Sequence, residues 1–211
     1  MLVKTNGIVL NNTKYSENSI ISHIFTRDYG KLSFIVNGVR NNKGAIKSSH
    51  LQSLNLLELD LYYSNNKTIH RIKDLKVSPI LHDIQQNPIK MAMVCLVTEI
   101  LVKTIKAEDR NEKLFDFIYS LVLSLNNTAV NKLGSFPSFF IANLVSILGH
   151  EINNMAVIHK STSNKDIVYK SNQKHSIGSL AMTYMDINNI SKMTGEKFEN
   201  IIKIKNRINY N

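Results

Sequence analysis

Leu54-Asn55-Leu56-Leu57-Glu58-Leu59-Asp60-Leu61-Tyr62 is the stretch on which the fold turns. Leu57, Leu59 and Leu61 alternate with Glu58 and Asp60, the period of a strand with one buried and one solvated face. Tyr63-Ser64-Asn65-Asn66-Lys67 reads as a turn, and Thr68 to Val77 as the next strand, with Ile69 and Leu75 among polar residues. Upstream, Lys4 to Leu10, the isoleucine-rich Ser19 to Thr26, and Lys31 to Val36 give three more. Gly30 and Gly38 act as turn signals around the last.

Five short strands within 80 residues suit a small closed or nearly closed β-barrel, with the five-stranded OB-fold as leading candidate. Phe25 and Phe34 are expected to fill it. Pro79 marks a change of regime to helix. Pro88 sits at a helix start, where a missing N–H costs nothing. Met91, Val94, Cys95, Thr98, Leu101, Val102 and Ile105 follow at helical spacing over 89–106. Leu114 to Leu125 and Phe136 to Leu148 read as two further helices, the latter with Gly149 as C-cap. Residues 151–178 read as irregular, with a short hairpin around Ile167-Val168-Tyr169, and short helices are expected over 177–185 and 188–205. The expected class is α+β: an OB-fold over 1–80, then a helical domain over 81–211.

The 211 residues are 43% hydrophobic and 20% charged, the balance of an ordinary globular chain rather than a disordered one. The single cysteine, Cys95, excludes an intramolecular disulfide and a cysteine-rich zinc module; in an apolar helix it is expected to be a buried, inert thiol. None of the seven histidines forms His-x-x-x-His or His-Glu-x-x-His, and Gly30-Lys31 lacks the rest of a phosphate-binding loop. Gly-x-Ser-x-Gly is absent. No metal, no cofactor and no bond-making chemistry are expected. The N-terminus carries no secretory pattern. The longest charge-free apolar run, Leu133 to Gly149, is too short and too broken for a membrane span. A cytoplasmic protein without a membrane partner is the expectation.

The formal charge is +10, which favours a polyanionic partner, although abundant Lys, Asn and Ile also fit drift in an AT-rich genome. Its distribution discriminates: residues 1–80 carry net +6, 81–150 are neutral, and 151–211 carry +4. The loop Asn37-Gly38-Val39-Arg40-Asn41-Asn42-Lys43-Gly44-Ala45-Ile46-Lys47 holds three cations, Arg40, Lys43 and Lys47, and no acid. It reads either as a phosphate-contacting rim or as a solvated connection. Bases stack on exposed aromatics at roughly 1–3 kcal/mol each. Tyr15, Tyr29 and Tyr63, near loops, are stacking candidates, although a tyrosine so placed is more often a packing residue. Phe139, Phe140 and Leu144 are candidates for a partner-binding groove or for plain core.

Thr5-Asn6-Gly7-Ile8-Val9-Leu10, Tyr15-Ser16-Glu17-Asn18-Ser19, Phe25-Thr26-Arg27-Asp28-Tyr29-Gly30-Lys31, Gly38-Val39-Arg40 and Leu51-Gln52-Ser53-Leu54-Asn55-Leu56-Leu57-Glu58-Leu59 together resemble the start of the bacterial RecO family. Phe136-Pro137-Ser138-Phe139, leading to Leu144 and Leu148-Gly149, resembles that family's helical domain. The resemblance implies a recombination mediator in DNA repair. Such a protein binds single- and double-stranded DNA, anneals complementary strands, and works with RecR and single-stranded-DNA-binding protein to load the RecA recombinase. By position, it implies Lys31, Arg40, Lys43 and Lys47 as DNA-contacting cations. The alternative class is an OB-fold adaptor for proteins, with little DNA binding of its own. Three departures stand out. Glu151 to Ser176 lacks the four-cysteine zinc module of many members. Asn41 stands where a second basic residue often follows the arginine. The family's usual further helix would lie past Tyr210-Asn211.

Overall fold

A strand with leucine on one face and carboxylates on the other needs an apolar interior on one side and water on the other. A computed structural model of the chain describes residues 1–39, 45–107 and 110–149. In it β4 (Leu56–Tyr62) buries Leu57, Leu59 and Leu61 and exposes Glu58 and Tyr62. The other strands are β1 (Leu2–Lys14), β2 (Ser19–Thr26), β3 (Gly30–Asn37) and β5 (Ile69–Val77). They close into a barrel in the order β1-β2-β3-β5-β4. β3 and β5 run parallel, through Ser33 opposite Ile69 and Phe34 opposite His70; the other neighbours are antiparallel. The five-stranded OB-fold expected from the strand pattern is present.

β1 runs further than its apolar pattern suggests, because both its edges are paired. Leu2 to Ile8 bonds to β4, and Gly7 to Lys14 bonds to β2, with an irregularity between Val9 and Asn11. Pairing carries the strand through Asn11, Asn12 and Thr13, whose own propensity for strand is modest. Gly7 belongs to both pairings. A Cβ there would lie 2.7 Å from Ile24 Cγ2 and 2.7 Å from Leu59 Cδ1, so a side chain has no room.

Val9, Ile24, Leu32, Phe34, Val36, Leu57, Leu59 and Leu61 build the interior, and Val39 and Leu51 join the same cluster. The segment carrying Leu51 is tied to the barrel: Asn12 Nδ2 donates to the Leu51 carbonyl (2.7 Å), and the Leu54 N–H donates to the Val9 carbonyl (2.7 Å). The strand period corrects one expectation. Phe34 is interior, but Phe25, next to the interior Ile24, faces outward and packs on Phe115, with ring centroids 5.7 Å apart. The compact unit built on the barrel comprises Met1–Leu81 and Ile105–Tyr119.

The second unit begins with His82–Thr104 and resumes at Ser120. The helices are α1 (His82–Gln86), α2 (Pro88–Thr104), α3 (Glu112–Asn127) and α4 (Phe136–Ile147). Asn87 caps α2, its Oδ1 accepting the N–H of Ile89 (3.0 Å) and Lys90 (3.3 Å). Gly149, with φ +84°, ends α4 in the left-handed region. Lys90 is buried and donates to Asp83 Oδ2 (3.1 Å) and to the Asn126 carbonyl (2.6 Å). Cys95 is exposed rather than buried. Buried residues take up most of the circumference of α2, Met93, Val94, Leu96, Val97, Ile100 and Leu101 among them, and Cys95 falls on the remaining arc. The irregular segment 151–178 and the short helices over 177–185 and 188–205 lie outside the described residues.

Replacing Gly7 by alanine should destabilise the protein by about 1–3 kcal/mol through overpacking at the β2–β4 approach. Urea unfolding followed by far-UV circular dichroism measures this. An unchanged midpoint would mean that the barrel spreads at Gly7 without cost.

Candidate nucleic-acid interface

OB barrels present the outer face of their central strands and the adjoining loops to ligands. On β2 and β3 here, Ile24, Leu32, Phe34 and Val36 point inward, so His23, Lys31, Ser33 and Ile35 point outward. His23 lies opposite Ser33, with Nδ1 3.0 Å from the hydroxyl, and Ser33 lies opposite Ile69 of β5. Burial, and then the nearby Lys31 charge, hold the His23 pKa below the ordinary histidine value. Burial likewise lowers the Lys31 pKa.

Lys31 is engaged within its own unit. Its ammonium donates to the Ile105 carbonyl, and its backbone bridges to Ala107. Arg27 is engaged too: its Nε and Nη2 donate to the two carboxylate oxygens of Asp116 at 3.0 and 3.2 Å.

The basic loop after β3 is anchored at its ends. Gly38 takes φ +72°, Val39 is buried in the interior cluster, and Ile46 packs against that cluster. Lys47 is exposed and precedes a 3-10 turn, Ser48–Leu51. Arg40 and Lys43 lie outside the described residues.

The aromatic candidates separate by environment. Tyr63 stacks on His70, with centroids 5.3 Å apart and rings 17° from parallel, and meets Tyr29 at 4.3 Å. His70 is buried and contacts Phe34 at 6.0 Å. Tyr29 and Tyr63 are therefore half-buried members of an aromatic stack at one barrel end. Tyr15 is exposed. In the helical unit Phe140 and Leu144 are buried and Phe139 is half-buried. Those first two side chains are core, so they cannot line an open groove: the apolar stripe that suggested docking is the stripe that the fold buries.

Charge pairing shows which cations remain available. On the outer face of β4, Glu58 meets Lys76 of β5 (3.5 Å) and Asp60 meets Lys4 of β1 (3.8 Å). Lys14, Lys47, Lys67, Arg71 and Lys73 have no ion pair among the described residues. Arg71 and Lys73 escaped the sequence reading. Their signal was present as cations at alternate positions between Ile69 and Leu75, but it was spent on recognising a strand. Among the described residues no group of three or more His, Cys, Asp or Glu could hold a metal ion. No helix of the described residues is long and apolar enough to cross a membrane.

Residues 1–80, the barrel itself, match the family described as Recombination protein O N terminal. Over the barrel and the helices that follow it, the chain is similar to RecO proteins. It is 31% identical over 152 residues to DNA repair protein RecO of Christiangramia forsetii, covering 72% of this chain and 63% of that relative. The match to the Bacteroides fragilis RecO is 33% over 149 residues, covering 71% and 61%. The Flavobacterium johnsoniae RecO is 28% identical over 210 residues, covering 97% of this chain and 84% of the relative. The chain thus spans about three-fifths of the length of the first two RecO proteins.

The His23–Lys31 pair offers a direct check on this face. In an NMR pH titration His23 should protonate below the ordinary histidine range, and Lys31→Met should move its midpoint upward by removing the adjacent charge. For stability the sign follows: a depressed folded pKa means the unfolded chain binds more protons. The His23 contribution is therefore complete above the ordinary histidine pKa and is lost as the pH falls toward the lowered one. An ordinary midpoint, indifferent to Lys31→Met, would contradict this geometry.

Proposed function

We propose that this chain is a DNA-binding recombination mediator of DNA repair. The barrel over 1–80 carries the DNA, and the helices that follow it serve protein partners. The supporting observation is the charge pattern: the acids on the outer face of β4 are each matched by a neighbouring strand, while Lys14, Lys47, Lys67, Arg71 and Lys73 have no ion pair among the described residues. Such cations neutralise phosphates and release counterions, which gives salt-sensitive and largely sequence-independent binding. Similarity to proteins named DNA repair protein RecO supports the repair role.

In this reading the protein binds single and double strands, and annealing follows from holding two strands against one basic surface, which lowers their mutual repulsion. Lys47 and the loop cations Arg40 and Lys43 contact phosphates. Lys31, tethered to the Ile105 carbonyl, contributes charge more than a mobile contact. RecR, single-stranded-DNA-binding protein and, functionally, RecA are the proposed partners, and the protein aligns strands without making or breaking bonds.

Fluorescence anisotropy of a labelled single strand, titrated at several salt concentrations, tests the proposal. Binding should weaken with a log–log slope near −0.7 per contact, for about four to six phosphate contacts. Absence of binding even at low salt would replace this reading with that of a protein adaptor.

A further inference from the structure

The β4–β5 hairpin carries charge that is separate from the loop after β3. From Lys67 to Lys76 it carries four cations against one acid, and among the described residues only Lys76 is spent on an ion pair. Leu61 and Ile72 pair and point inward, so their neighbours Tyr62 and Arg71, paired in register, share the outer face. Tyr62 is 54% exposed and Ile69 is 40% exposed. The register then slips between Asp60 and Leu61: Asp60 pairs with Asp74, and Lys73 is the extra residue of β5. A bulge of this kind breaks the alternation and leaves both Lys73 and Asp74 exposed. An exposed aromatic ring, an unpaired guanidinium across from it, and a bulged lysine beside them therefore occupy one strip of sheet.

We propose that Tyr62 and Arg71, with Lys73, form a stacking subsite for one unpaired base and its phosphate on a single-stranded polynucleotide. The proposal rests on the DNA-binding reading above and adds strand selectivity to it. Arg71 and Lys73 attract either strand form, because both present phosphates. The face of the Tyr62 ring accepts only a base whose own face is free, which a continuous duplex does not offer. The subsite lies on the β4–β5 hairpin, whereas the basic loop leaves the barrel after the C-terminal end of β3.

The test compares a labelled oligothymidylate with a blunt duplex of equal length, by anisotropy, on the full chain. Tyr62→Ala should weaken single-strand binding by about tenfold with an unchanged salt slope, and should leave duplex binding as it was. Tyr62→Phe, which keeps the ring, should bind like the parent protein. Arg71→Gln should lower the single-strand salt slope by about 0.7. Parent-like binding by Tyr62→Ala, an equal loss on both strand forms, or a loss in Tyr62→Phe as large as in Tyr62→Ala would each overturn the subsite. Binding by the parent protein would leave the DNA-binding reading standing in those cases. A parent protein that binds neither probe at low salt would remove both.

Discussion

Barrel closure gives every strand a partner along both of its edges, and β1, the longest strand, bonds β4 along one and β2 along the other. Where its two pairings overlap, at Gly7, the backbone is pressed against Ile24 of β2 and Leu59 of β4 closely enough that a methyl group would clash with both. That approach brings β2 and β4 to either side of one glycine and lets the leucines of β4 meet Ile24, Leu32 and Phe34 in one interior. With β1 holding β2 and β4, the circuit is completed by the parallel contact of Ser33 and Phe34 with Ile69 and His70. Every outward-facing residue discussed above takes its direction from this closure.

Closure also divides the charges. Strand neighbours bring Lys4 to Asp60 and Lys76 to Glu58, exposed pairs that contribute little stability but cancel the acidic face of β4. The hairpin beyond them keeps Lys67, Arg71 and Lys73 without ion pairs among the described residues. On the other side of the barrel, Lys31 and Arg27 are drawn into the segment 105–119 that joins the barrel's unit. The raw surplus of basic residues over 1–80 thus overstates the mobile charge, part of which stays on the β4–β5 hairpin.

Much of this was open to reading in the chain alone. The leucine alternation of 57, 59 and 61, and the glycines at 30 and 38, specify strands and turns because side-chain direction has a period of two and left-handed backbone favours glycine. The pattern misled where an apolar residue had a second place to be buried: Phe25 looked like barrel filling and instead packs on Phe115. Cys95 belonged to a helix apolar on nearly every side, so periodicity could not say which side would face water. In the candidate interface, cation positions were legible, but availability was not.

Local order therefore settled which residues form strands, which of their faces are dry, where the positive charge accumulates, and which family motifs the barrel carries. Those properties depend on neighbours one to four positions away. Folding settled which charges and rings remain free. Lys31 finds its carbonyl 74 residues along the chain, and Arg27 finds its carboxylate 89 residues along. Tyr63 is absorbed into a stack with Tyr29 and His70, while its neighbour Tyr62 stays open beside Arg71. The strand period sets Tyr63 on the face of Leu57, Leu59 and Leu61 and Tyr62 on the other, but only folding supplies Tyr29 and His70, which absorb one ring and leave the other open.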